Sequence, residues 1–253
     1  MNKEEHNHKN PFTKFIIDYK TNIFEELSTS AQFEDTHNGR KGKNLIDYKN
    51  NLVPIIRTTT IYNKPAQKFL PIHHNIIENI KKISKIQDLE LNNALIEIYD
   101  NRYRTMKFHS DQSLDLAENS YICVFSCYDD PTDIRKLKIK EKSSEEHSEI
   151  LLEHNSVVIF STETNKNYQH KIILETSKSK NRWLGITFRL SKTFIKFVNE
   201  IPYFNSNNKI LRISNKDERK EFSKHKGIEN LKNGYDYPEI DYTISISDTL
   251  PVK

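Results

Sequence analysis

The chain has 253 residues, a formal net charge of +4, 35% hydrophobic residues, five glycines and two cysteines. No apolar run approaches membrane-spanning length, and MNKEEHNHKNPF lacks the apolar core of a signal peptide, so a cytoplasmic or nuclear protein is expected, neither secreted nor membrane-bound. A charge of +4 permits a nucleic-acid partner without arguing for one, and the length suits one domain of about 200 residues with extensions.

Residues 1–10 read as a disordered polar tail. FTKFIIDYKTNIFEEL, 12–27, predicts a strand followed by a helix, and DTHNGRKGKN, 35–44, reads as a basic loop, a solvated connector with a phosphate contact as the alternative. PIHHNIIENIKKISKI carries Ile72, Ile76, Ile80 and Ile83 at helical spacing, which predicts an amphipathic helix against one face of a sheet. ALIEIY, 94–99, is a strand-like run, and NRYRTMKFHSD alternates enough to predict a second strand with His109 near its end. In YICVFSCY a period of two puts Cys123, Phe125 and Cys127 on one face, so both thiols are assigned to core packing. Residues four apart on one strand are too distant to bridge, and reduced thiols fit an intracellular protein.

SVVIFS, 156–161, and QHKIIL, 169–174, predict two further strands separated by the polar turn TETNKNY. Seven or eight short strands with little helix are expected between residues 94 and 192, a pattern that favours a sandwich or barrel. Beyond residue 198 the chain turns polar. NKDERKEFSKHKGIEN predicts a surface helix, and YDYPEIDYTISISDTL is too aromatic and β-branched for plain disorder, so it is expected to pack back on the core. With so few glycines, Asn and Asp should supply many of the turns. The expected organisation is a tail over 1–10, a lid and supporting helix over 11–93, a core over 94–192 and a C-terminal extension over 193–253.

Chemistry is signalled by His109-Ser110-Asp111 followed by His170, and then by Arg182 and Arg189 in NRWLGITFR. Two imidazoles and one carboxylate can occupy one face of an Fe(II) ion and leave the opposite face open. A lone H-x-D pair is weak, since a chain with ten His supplies one readily by chance. Here the pair and His170 both fall where a predicted strand begins or ends, and two strand ends can bring ligands distant in sequence to one ion. The triad therefore favours the jelly-roll form of an all-β core.

Several stretches in order resemble the AlkB-like branch of the 2-oxoglutarate and Fe(II)-dependent dioxygenases. They are RTTTIY at 57–62, which looks like a lid; E-x-Y at Glu97 to Tyr99, where the family usually has N-x-Y; HSD at 109–111; NSVVIFS; and RWLGITFR at 182–189, against a family pattern close to R-x-N-x-T-x-R. The resemblance spans roughly residues 11–200. It implies a mainly β fold, a double-stranded β-helix (jelly roll) with flanking N-terminal helices and a C-terminal extension. It also implies Fe(II) held by His109, Asp111 and His170, and O2 and 2-oxoglutarate as cosubstrates. Tyr99, Thr187 and one or both of Arg182 and Arg189 would contact 2-oxoglutarate, an arginine holding its far carboxylate. An N-methyl group hydroxylated there would leave as formaldehyde, and the intact aspartate favours hydroxylation or demethylation over halogenation.

Two departures stand out. The family's arginines lie six apart, on one face of a strand, whereas Arg182 and Arg189 are seven apart. A bulge at Gly185 would restore the phase, and a regular strand would leave only one arginine in the pocket, with Arg189 favoured by its T-F-R context. Glu97 replaces the family's asparagine.

Oxidative demethylation of alkylated nucleic-acid bases is the favoured activity, with Arg57, Tyr62, Arg102 and Tyr103 as substrate contacts in single-stranded or damaged DNA or RNA. A protein side chain or small metabolite is the alternative substrate, and a jelly-roll binding module without turnover is the second alternative. A monomer is expected. Among the other histidines, His6 and His8 lie in the tail, His73 and His74 are expected on the surface of a helix start, His147-Ser148-Glu149 sits in a charged strand edge, and His154 precedes a turn.

Overall fold

The computed structural model describes residues 11–144, 146–176 and 180–252; the tail expected over residues 1–10, with His6 and His8, lies outside them. In chain order the elements are β1 (Thr13–Ile16), α1 (Phe24–Thr29), β2 (Glu34–Asp35), β3 (Arg40–Ile46), β4 (Val53–Ile55), β5 (Gln67–Lys68), α2 (Pro71–Ser84), β6 (Asn93–Tyr99) and β7 (Tyr121–Tyr128). They continue with β8 (Lys136–Glu141), β9 (His147–Leu151), β10 (Ser156–Ser161), α3 (Thr162–Asn167), β11 (Tyr168–Ile173) and β12 (Trp183–Arg189). The remainder is β13 (Thr193–Val198), β14 (Ile201–Phe204), β15 (Arg212–Ile213), α4 (Lys216–Leu231) and β16 (Tyr242–Thr243).

The large sheet runs β1-β10-β7-β12-β6-β3-β2, with β5 beside β3, and the small sheet runs β11-β8-β9. From β6 to β12 the chain lays β6 and β7 in the large sheet, β8 and β9 in the small one, then β10 in the large, β11 in the small and β12 in the large, the winding of a double-stranded β-helix. Period-two alternation explains the layering. Ile96, Ile98, Cys123, Phe125, Cys127, Leu184 and Ile186 face away from the small sheet and bury Phe24 and Leu27 of α1 with Ile76, Ile77 and Ile80 of α2. Tyr99, Ile122, Val124, Tyr128 and Trp183, the intervening positions, meet Leu137, Ile139 and Ile172 of the small sheet. Both cysteines are free and fully buried, which pushes their thiols upward in pKa.

Asparagine takes over the turn positions that glycine would occupy: Asn38, Asn50, Asn119, Asn155 and Asn208 all have positive φ. The C-terminal end is stitched to the lid segment, Tyr62 N donating to Ser245 Oγ at 2.9 Å and Ser247 N to the Tyr62 carbonyl at 2.9 Å.

Five expectations need correction. Residues 40–44 are not loop but the start of β3, because Arg40 and Lys43 find the carboxylates of Glu97 and Glu34 across the sheet. The stretch 101–111 forms no regular strand; its backbone pairs with β11 through isolated bridges, Thr105 to Ile173 and His109 to His170. TETNKN is helix α3, capped by Ser161 Oγ accepting from Thr164 N at 3.0 Å. His73 is buried, since its Nδ1 accepts from Leu70 N at 2.9 Å and its Nε2 lies 3.2 Å from Ser30 Oγ, closing the N-terminus of α2. Finally, β12 pairs with β6 and β7 in unbroken register through Gly185, so there is no bulge. A Cβ at Gly185 would fall inside the Trp183 indole, and close packing is why glycine stands there.

Candidate active site

His109 and His170 are brought together by the backbone. Each N–H donates to the other's carbonyl, at 3.0 and 2.8 Å, the narrow antiparallel pairing that points both side chains to the same face. Their rings lie 4.7 Å apart. Asp111 completes the group, and one donor atom from each of the three lies within 4.8 Å of the others.

Two of the three ligands are held from behind. His109 Nδ1 sits 3.0 Å from the Lys107 carbonyl, which leaves Nε2 to face the cluster. Asp111 is fixed by a reciprocal amide pair with Asn165 of α3: its N–H donates to Asn165 Oδ1 and Asn165 Nδ2 donates to its carbonyl, both at 2.8 Å. Arg189 Nε donates to Asp111 Oδ2 at 2.8 Å, and the other oxygen, Oδ1, lies 4.0 Å from His170 Nε2. One carboxylate oxygen is thus committed and one remains for a metal. Burial would raise the Asp111 carboxyl, but the Arg189 guanidinium and the two imidazoles hold it well below the usual range. Desolvation, then His170, push the His109 imidazole down to about 3, and desolvation lowers His170 as well. The Nδ1 of His170 is buried and has no hydrogen-bond partner among the described residues. An ionised carboxylate and two neutral imidazoles are the protonation states a divalent cation requires, so the donor set fits Fe(II).

The triad opens into a cavity of about 420 Å³. Tyr99, Tyr103, Thr187 and Arg189 line it, as do Thr58, Thr59 and Thr60 of the lid. With a metal bound by this triad, a second, anionic bidentate ligand has room in the cavity.

A family model described as the 2OG-Fe(II) oxygenase superfamily matches residues 20–189. The chain belongs to that superfamily. It is a 2-oxoglutarate- and Fe(II)-dependent dioxygenase, with O2 and 2-oxoglutarate as cosubstrates, and His109, Asp111 and His170 form its facial-triad-like group. No curated protein matches the chain. No helix among the described residues is long and apolar enough to cross a membrane.

Several residues singled out in the sequence lie away from the oxygenase cavity. Arg182 precedes β12 at its far end, where its N–H and Nε bind Asp129 at 2.6 and 2.8 Å and its guanidinium covers Phe24. Arg57 is buried, its guanidinium bound to Asp115 and to the carbonyls of Ile240 and Tyr242. Tyr62 is buried against Gly42, and Arg102 is exposed and paired with Asp100. Of the four expected substrate contacts only Tyr103 lines the cavity. His147 and Glu149 are exposed on β9 and His154 Nδ1 accepts from Tyr128 N.

Helix α4 is more than a surface helix. Asn230 Oδ1 accepts from Ser110 N at 2.9 Å, Glu229 Oε1 accepts from Ser113 N at 2.8 Å, and Lys226 lines the cavity. Burial pulls the Lys226 ammonium downward in pKa. The signal was the spacing of Phe222, Lys226, Glu229 and Asn230 on one helical face, hidden by the charge of the whole segment. Arg40 also lines the cavity; in sequence it is one cation of a basic run that reads as a solvated loop.

Proposed function

We propose that this oxygenase removes methyl groups from alkylated bases in single-stranded nucleic acid, with His109, Asp111 and His170 holding the iron and Arg189, Thr187 and Tyr99 facing the cosubstrate. The observation that carries the substrate class is the cavity wall beside His109. Phe108 lines it with Lys107 before it and Lys226 opposite, and Lys171 Nζ lies 4.5 Å from the Phe108 ring centre. An aromatic face among cations suits a base taken out of its stack and the phosphates that flank it. Arg57, Tyr62 and Arg102 have no part in this reading, because their side chains are committed elsewhere. An N-methyl group of a base held there would lie next to the triad, and its loss as formaldehyde would follow hydroxylation.

The experiment is succinate and formaldehyde release from 2-oxoglutarate, Fe(II) and ascorbate, with methylated and unmethylated single-stranded DNA and RNA. Turnover stimulated by the methylated oligonucleotide alone, with formaldehyde, supports the reading. Succinate released without any such stimulation would move the substrate to a protein side chain or small metabolite, and iron binding without turnover would favour a binding module.

A further inference from the structure

We propose that Arg40, on β3, holds the far carboxylate of 2-oxoglutarate in this enzyme, with Glu97 as the residue that positions it. Antiparallel partners face the same side of a sheet, and the register aligns Arg40 with Tyr99 on β6 and Tyr99 with Trp183 on β12. Trp183 lies six residues before Arg189 on the same face, so the inner position at that level of β12 is an uncharged indole. Arg40 delivers a guanidinium to the same level from two strands away.

The other arginines are committed elsewhere. Arg182 is bound to Asp129. Arg135 is buried near Tyr99, but its two terminal nitrogens donate to the carbonyls of Tyr103 and Asp100 at 2.7 and 2.8 Å. Lys107 and Lys226 line the cavity from the segment and helix that carry and cover His109. Arg189 binds the triad carboxylate.

Arg40 is presented rather than consumed. Its Nε and Nη2 lie 2.6 and 2.5 Å from the same Glu97 oxygen, Oε1, and Tyr99 Oη donates to Oε2 at 2.7 Å. A guanidinium has five N–H donors; Glu97 takes two, the Tyr62 and Tyr103 hydroxyls lie within reach of the group as well, and at least one donor is left for a second anion. Tyr62 and Tyr103 flank it, and its side chain is 21% exposed, toward the cavity. Glu97 itself sits between Gly42 and Gly185, where the absence of two side chains admits Tyr62 on one side and Trp183 on the other. Six residues of β6 separate the Arg189 level at Asn93 from the Arg40 level at Tyr99, about 20 Å of strand. Arg40 leans toward Glu97 and Arg189 toward the Thr187 carbonyl, at 3.4 Å. The two guanidinium groups therefore approach each other along the inner face, one at each end of a site for a five-carbon dicarboxylate. The departure at Glu97 and the tryptophan at 183 become one coupled change, because the carboxylate is what anchors an arginine arriving from β3.

The test is calorimetric binding to the Mn(II)-loaded protein of 2-oxoglutarate and of 2-oxovalerate, which keeps the keto acid and replaces the far carboxylate with a methyl group. Arg40→Met should weaken 2-oxoglutarate binding about 10- to 100-fold, the range for a charge-assisted contact, and leave 2-oxovalerate binding where it was. Arg182→Ala should change neither. Equal losses for both ligands would make Arg40 purely structural, and an unchanged 2-oxoglutarate affinity would give the carboxylate to another group. If Arg40→Met alone does not fold, Arg40→Met/Glu97→Met removes both buried charges; a preference for 2-oxoglutarate retained in that variant overturns the assignment.

Discussion

Replacing Asp115 by Ala tests how the lid is fixed to the core. Asp115 is fully buried and accepts from Arg57 N at 2.7 Å, from Nε at 3.0 Å and from Nη2 at 2.7 Å. The same guanidinium donates to the carbonyls of Ile240 and Tyr242 at 2.7 and 3.1 Å, so one ion pair ties the base of the lid to the core and to the C-terminal segment. Asp115→Ala leaves a cation in the interior without the carboxylate that binds it, which costs about 3–5 kcal/mol. For a chain of this size each kcal/mol lowers Tm by about 2–4 °C, so a fall of roughly 6–20 °C is expected. Thermal unfolding followed by circular dichroism measures it. The double variant Arg57→Met/Asp115→Leu should recover most of the loss, because it removes both charges at similar volume. Since Thr58–Thr60 line the cavity, Asp115→Ala should also raise KM for the primary substrate more than for 2-oxoglutarate. A Tm equal to that of the wild type, or a double variant no better than the single one, would refute the reasoning.

Three further outcomes are expected. Burial raises the Asp248 carboxyl from 3.8 to about 7, so the folded protein keeps a proton that the unfolded chain releases. The stability this confers is complete below pH 3.8 and is lost as pH rises through about 7, and the Tm advantage of Asp248→Asn over wild type should therefore be larger at pH 8 than at pH 5. Asn165→Ala removes the amide pair that orients Asp111 and should weaken Mn(II) binding about 10- to 100-fold, measured by calorimetry, with the far-ultraviolet spectrum unchanged. Gly185→Ala must displace Trp183 from Tyr99, whose ring centre is 4.7 Å away; a loss of about 1–3 kcal/mol in urea unfolding is expected, with a shift in the emission of this single tryptophan.

Much of the fold was legible because its signals are local. SVVIFS is β10 to the residue, the isoleucine period marks α2, and alternation in YICVFSCY assigned both cysteines to the core before any coordinates. The triad was legible because order and spacing carry it, and a regular β12 leaves Arg189 alone at the site, as the seven-residue interval requires. What was hidden depends on partners across the sheet. Arg40 sits in a basic run that reads as solvated loop, and only its register opposite Tyr99 and its pairing with Glu97 place it in the cavity. In the same way α4 reads as a solvated helix, since three polar side chains on its inner face, Lys226, Glu229 and Asn230, serve the site rather than a hydrophobic core. The expected bulge failed for a packing reason: Gly185 makes room for an indole instead of breaking the strand.

The most direct test of the central claim is succinate formation from 2-oxoglutarate by the Fe(II)-loaded protein and by Asp111→Ala. Turnover is expected in the wild type, and none in the variant together with weakened Fe(II) binding and an intact fold. Full turnover by Asp111→Ala would contradict that claim.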